Sequence, residues 1–174
     1  MRPTLETARL RLRSFTTDDA PFVFRVMNSP GWLRFIGDRG IRTIDDAKRY
    51  LEEGPITSYA RNGFGLLHVS RREDDAPVGM CGLLRRDWLP DVEIGFAFLP
   101  EFCGIGYATE AVAATLLDAE RSLGLRRVTA IVQPDNAASL RVLAKAGFAF
   151  ERVVTAPNDT AELHLLAKNL GSGA

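Results

Sequence analysis

Ahead of a segment with helical spacing the chain reads Cys103-Gly104-Ile105-Gly106-Tyr107-Ala108-Thr109. Two glycines just before a helix leave backbone N–H groups unpaired at the positive end of the helix dipole and let a ligand approach the main chain. A diphosphate fits such a seat. The same residues also read as a plain tight turn, or as a dinucleotide fingerprint with Thr109 in place of the third glycine of G-x-G-x-x-G. That fingerprint belongs on a first βαβ unit with an acid roughly 20 residues on, where only the later Asp135 offers itself. Cys103 adds a thiol beside a helix N-terminus, a place where cysteines can be activated for covalent acyl transfer, although the sequence pairs no base with it. Cys81, Cys103, His68 and His164 are too few and too scattered for a structural zinc site, and no metal is expected.

The elements that must hold this loop follow from periodicity. Leu10 and Leu12 alternate with Arg9, Arg11 and Arg13, which predicts a half-buried strand over 8–13. Thr16-Thr17-Asp18-Asp19 caps a first helix carrying Ala20, Phe22, Val23 and Val26, and Asn28-Ser29-Pro30-Gly31 stops it. A second helix runs from Thr43, with Asp45 and Asp46 in its first turn, to Gly54-Pro55. Short apolar runs at 65–70, 78–84 and 92–99, separated by polar turns, have the texture of an antiparallel meander. Beyond the glycine loop, Ala108, Val112, Leu116, Ala119 and Leu123 make one apolar stripe of a helix that Gly124 can cap. A strand over 127–132, a helix over 136–146, and strands over 148–155 and 161–168 complete the order. The expected architecture is α/β (α+β): a mixed central sheet of about six to seven strands with helices on both faces. One domain spans 1–170, with a flexible tail at 171–174.

Composition narrows the partners. The chain has 174 residues, 46% hydrophobic and 25% charged, and its 22 basic residues balance 22 acidic ones. Such a neutral surface offers no long-range field for a nucleic acid or an anionic membrane. No apolar stretch has the length of a signal peptide core or a membrane span, and two cysteines need no disulfide scaffold, so a reducing, cytoplasmic setting is expected. A monomer or a homodimer is compatible with this surface.

Four separated stretches, in order, resemble the GNAT superfamily of N-acetyltransferases: Thr7-Ala-Arg-Leu-Arg-Leu-Arg13, Glu93-Ile-Gly95-Phe96, the glycine loop, and Asn136-Ala-Ala-Ser139 through Lys145-Ala-Gly147-Phe148. The loop matches that family's acetyl-CoA diphosphate motif, [QR]-x-x-G-x-[GA], in the register Cys103-x-x-Gly106-x-Ala108, and its Gly-Tyr-Ala-Thr-Glu-Ala continuation is similar to the branch of ribosomal-protein N-terminal (alanine/serine) acetyltransferases. Cys103 stands where Gln, Arg or an aromatic residue is usual, and Ile105 where a polar one is common. The resemblance implies a single-domain GNAT-like fold, acetyl-CoA as cosubstrate and a primary amine as acceptor, on a protein N-terminus or a small molecule. A non-catalytic acyl-CoA-binding module is the alternative, with a dinucleotide-binding protein behind it.

Acetyl transfer to an amine needs a seat for CoA, a neutral amine, a donor to the developing oxyanion and a proton for the thiolate. Alternation puts Glu93, Gly95, Ala97 and Leu99 on one side of a strand, so that two small residues leave room beside a carboxylate. Glu93 is the first choice as base, acting through water; an exposed carboxylate paired with a surface arginine is the alternative reading. Glu101 and His68 follow. The resemblance implies that pantetheine runs along this strand, that an N–H near Phe96 to Phe98 polarises the thioester, and that residues 103–109 hold the diphosphate. It likewise gives Asn136 a hydrogen bond to pantetheine and places Ser139 near the sulfur, although both residues also suit helix capping. Leu143 occupies the position where many relatives carry an acidic Tyr, which leaves Ser139 or water to protonate the thiolate. Trp32, Phe35, Tyr59 and Trp88 are aromatic candidates for the acceptor site, and Arg34, Arg39, Arg42, Arg85 and Arg86 suit an acidic acceptor or simply a solvated surface.

Overall fold

A computed structural model describes residues 2–171 of the chain. The strands are β1 (Leu5–Glu6), β2 (Leu10–Ser14), β3 (Leu66–Arg71), β4 (Pro77–Leu84), β5 (Glu93–Phe98), β6 (Arg127–Val132), β7 (Ala149–Thr155) and β8 (Glu162–Asn169). They form one eight-stranded sheet in the order β1-β2-β3-β4-β5-β6-β8-β7. Every neighbouring pair is antiparallel except β5 with β6. Seven strands match the sequence expectation. The eighth, β1, has two residues, too few to show any alternation. Of the expected 171–174 tail, residues 172–174 lie outside the described residues.

Helices α1 (Ala20–Met27), α2 (Pro30–Phe35), α3 (Ile44–Leu51) and α4 (Thr57–Asn62) precede the meander, and α5 (Tyr107–Arg121) and α6 (Ala137–Lys145) follow it. Two cores result, one on each side of the sheet. Val92 and Ile94 pack with Ala111, Val112 and Leu116 of α5 and Leu143 of α6, whereas Met80, Ala97 and Leu99 pack with Phe22, Val23 and Val26 of α1 and Leu51 of α3. Alternation along β5 therefore divides its side chains between two cores, as the period of two demands.

Two helix boundaries differ from expectation for identifiable reasons. Pro30, read as a stop, opens α2 behind an extended Ser29, because a proline at the first helical position lacks only an N–H that would be unpaired anyway. The Gly54-Pro55 pair does not end α3. A π-helical turn over Glu52–Ile56, closed by the Thr57 N–H on the Glu52 carbonyl, carries the chain on into α4. The wider turn relieves the clash a proline ring makes inside a regular α-helix.

The parallel junction is the unusual feature of the sheet. β4 and β5 stay in register over six residue pairs, whereas β5 and β6 share one, Glu93 opposite Thr129. There the Thr129 N–H donates to the Val92 carbonyl at 2.9 Å, and beyond it the strands part. The Leu99 N–H donates to Val78 of β4 at 2.9 Å. Main-chain groups alternate edges along a strand, so the N–H groups of Phe96 and Phe98 face the opening toward β6.

Candidate active site

The glycine loop closes one end of this opening. Gly104 and Gly106 have φ of 77° and 87°, left-handed values that a side chain would strain, and Gly106 caps α5 in that conformation. The Cys103 N–H bonds Pro100 and the Glu110 N–H bonds Gly106. Among the described residues the N–H groups of 104–109 donate to no protein acceptor, as the first turn of a helix requires unless a ligand or water takes them.

Arg9, read from sequence only as the polar partner in an alternation, holds this loop from 96 residues away: Nη1 donates to the Ile105 carbonyl at 2.9 Å. Its Nε donates to Glu110 Oε2 at 2.8 Å, and its guanidinium lies 4.6 Å from the centre of the Tyr107 ring. Burial raises the Glu110 carboxyl, but hydrogen bonds from Thr7 and Arg9 outweigh it and hold the group below its ordinary range. Nη2 of Arg9 has no protein acceptor among the described residues and lies 3.1 Å from where a Cβ on Gly106 would sit.

The far edge of the opening is β6, which leads directly into the N-terminus of α6. Asn136 caps it through Oδ1, which accepts from the Ser139 N–H at 3.2 Å. Ser139 is half-buried, and its hydroxyl has no protein partner among the described residues. Leu143, one turn on, is 1% exposed in the core against α5, so that position turns away from solvent.

Glu93 lies on the opposite face of β5 from Phe96 and Phe98. It is 4% exposed, and Arg86 Nε donates to its Oε2. Burial pushes its carboxyl up, against the pull of Arg86 and Arg39. Oε1 accepts no hydrogen bond from the described residues. The room expected beside it is not empty: a Cβ on Gly95 would meet Leu84 Cδ1 at 2.8 Å, so the small residue admits a neighbour's side chain. Tyr50 of α3 also faces this cluster; burial raises its hydroxyl, and the charges of Arg39 and Arg86 oppose the shift.

The remaining expected residues disperse. Glu101 is exposed and pairs with Arg25 at 2.6 Å. His68 is buried beneath α1 beside the Arg13–Asp19 pair, where it lines a separate cavity with Phe22 and Pro77. The Cys103 thiol is pushed up by burial and by Glu101, the reverse of activation, and its Sγ turns back toward the carbonyls of Leu99 and Phe98. Trp32 is 6% exposed, and Tyr59 is fixed between the Phe15 N–H and the Leu66 carbonyl. Arg34 reaches Asp135 at 3.7 Å, and Arg42 pairs with Asp38. Trp88 lines a cavity of about 530 Å³ with Arg85, Arg86, Asp87 and Pro157.

Comparison with known proteins identifies the family and the fold. An acetyltransferase (GNAT) domain family matches residues 9–149. An uncharacterised N-acetyltransferase of Bacillus subtilis, YoaA, is 30% identical over 156 residues, which make up 88% of this chain and 87% of its own length. The crystal structure of an acetyltransferase from Agrobacterium tumefaciens superposes with a TM-score of 0.81 at 25% identity, covering 97% of this chain and 95% of the other. At 14% identity the fold is shared, with a TM-score of 0.79 over 96% of this chain and 98% of the other, by a ribosomal L7/L12 α-N-protein acetyltransferase in complex with coenzyme A.

Proposed function

The chain belongs to the acetyltransferase (GNAT) domain family, and from that premise we propose that it moves an acetyl group directly from acetyl-CoA to a primary amine. The observation that carries this reading is the single-pair junction of β5 with β6 opening onto a loop of unpaired amides. An extended chain with a diphosphate at one end has the shape and the hydrogen-bonding needs of that space.

Residues 104–109 hold the diphosphate through main-chain N–H groups, the Cys103 N–H being spent on Pro100, and such a seat needs neither a Gln nor an Arg side chain at position 103. The free Arg9 Nη2 adds a cation to the same seat. Phe96 and Phe98 offer main-chain N–H groups to the pantetheine arm and to the thioester carbonyl, where a donor stabilises the charge that develops on oxygen. Acetyl-CoA supplies an activated acyl group and a thiolate leaving group. Glu93 accepts the proton of the amine through a water on Oε1, suited to the task by its raised affinity for protons. Ser139 donates to the thiolate, and Asn136 orients the α6 N-terminus on which it stands.

Purified protein should release CoA thiol from acetyl-CoA with members of a panel of small amines and peptides. Glu93→Gln should lower kcat by about 100-fold, a typical contribution of a general base. The buried Leu143 favours one other reading, a CoA-binding module without turnover, since no hydroxyl comes from that turn of α6. Tight CoA binding with no thiol release across the panel would establish the module.

A further inference from the structure

Glu93 engages Arg86 through Nε alone, which leaves Nη1 and Nη2 of that guanidinium without a protein acceptor among the described residues. A buried carboxylate that fixes the base of a planar fork while both tips stay free makes a preorganised receptor for an anion, because much of the side chain's rotamer freedom is already removed. Arg86 is also part of the wall of the 530 Å³ cavity that Trp88 and Arg85 line. Arg39 brings a third guanidinium from the α2–α3 connection, near enough to act on both Glu93 and Tyr50. Against these three cations stand Asp87, exposed, and Glu93, which is 4% exposed and already engaged. A bare ammonium meets a surplus of like charge here, whereas a molecule that also bears an anion meets a complementary field.

Building on the acetyl-transfer reading, we propose that the acceptor is a primary amine whose molecule carries a carboxylate, held by the Nη1/Nη2 fork of Arg86 beside Trp88, with Arg39 and Arg85 completing the positive surround. A free amino acid and the N-terminus of an acidic peptide share this chemistry. The planar fork matches a carboxylate with two parallel hydrogen bonds, which an ammonium side chain cannot reproduce.

The test is thiol release from acetyl-CoA with matched acceptors that differ only in carboxylate against carboxamide: glutamate and glutamine, an amino acid and its amide, and short peptides with Asp or Asn second. The carboxylate member of a pair should be favoured about tenfold or more in kcat/KM, less so at high salt. The arm that shows the preference tells a free amino acid from a peptide. Arg86→Met would strand the buried Glu93 charge, so the informative variants are Arg86→Lys, which keeps the charge without the fork, and Arg39→Gln, at an exposed position. Both should reduce the preference while leaving KM for acetyl-CoA unchanged. Equal rates within every pair, or a preference intact in both variants, would overturn the proposal and spare the transferase reading. If CoA binds but no amine is acetylated, the transferase reading falls, and calorimetry of the same pairs on the CoA-loaded protein decides this one: selective binding of the carboxylate members upholds it, equal binding overturns it.

Discussion

Acidification should destabilise the protein through His68 in a defined window. The side chain is 4% exposed, with the edges of Phe15 and Phe22 at ring distances of 5.7 and 5.1 Å. Its Nδ1 is buried without a partner, and Nε2 lies 3.9 Å from Asp19 Oδ1, too far for a hydrogen bond. Arg13 takes both Asp19 oxygens at 2.8 and 2.9 Å, so that carboxylate is already neutralised. Burial first, then the Arg13 charge, lower the His68 pKa from 6.5 to about 4. The folded form is therefore the weaker proton binder, and stability from this group is fully present above pH 6.5, declines between 6.5 and 4, and is constant below. At about 1.36 kcal/mol per unit the whole window costs about 3 kcal/mol, of which about 2 is lost by pH 5. That is a large share of the ~5–15 kcal/mol that ordinarily separates folded from unfolded chains. Urea unfolding of the parent and of His68→Gln across pH 4 to 8 isolates the effect, because every other group cancels in the difference. The two stability curves should converge as the pH falls from 6.5. Parallel curves, or a His68 NMR titration midpoint near 6.5, would refute the reasoning.

Other outcomes follow from the same contacts. Arg9→Met should raise KM for acetyl-CoA by about tenfold, the scale of a lost charge-assisted hydrogen bond, yet leave turnover of acetyl-pantetheine, which has no diphosphate, unchanged in steady-state assays. Leu143→Tyr should not create a proton donor at the opening: position 143 is buried, so overpacking should cost about 1–3 kcal/mol in a denaturation curve with no gain in kcat. Cys103→Ala should retain full activity, and the parent thiol should react with iodoacetamide at pH 7 no faster than a free cysteine, since its pKa is raised and not lowered.

Strand β2 was legible because alternation is a local signal, β3 to β5 because short apolar runs are set off by polar turns, and the α5 stripe because apolar residues recur at helical spacing. The loop was legible for the same reason, since Gly104 and Gly106 adjoin the helix they start. Less accessible were features whose cause lies elsewhere in the chain. Arg9 reads as one polar residue in a strand until the fold brings it to Ile105. Arg86 reads as one of several surface arginines until Glu93 is seen to be buried beneath it. The π-helical turn at Pro55 escaped because proline in a helical pattern signals termination on average, and the wider turn that accommodates it leaves no mark in composition.

The lone Glu93–Thr129 pair makes the sheet, in mechanical terms, two half-sheets: β1 to β5 on one side and β6, β8 and β7 on the other. Beside that pair, Arg127 reaches Asp91 and the Thr129 hydroxyl donates to Val92 across the seam, and α5 and α6 bridge the halves by packing into a core to which both contribute. Whatever lies in the opening and bonds to both edges becomes a ninth strand in all but covalent connection, so ligand and fold are coupled across the seam. Amide hydrogens of Phe96 and Phe98 should then exchange slowly only in the loaded protein, while those in the middle of β4, paired on both sides throughout, are protected in either state.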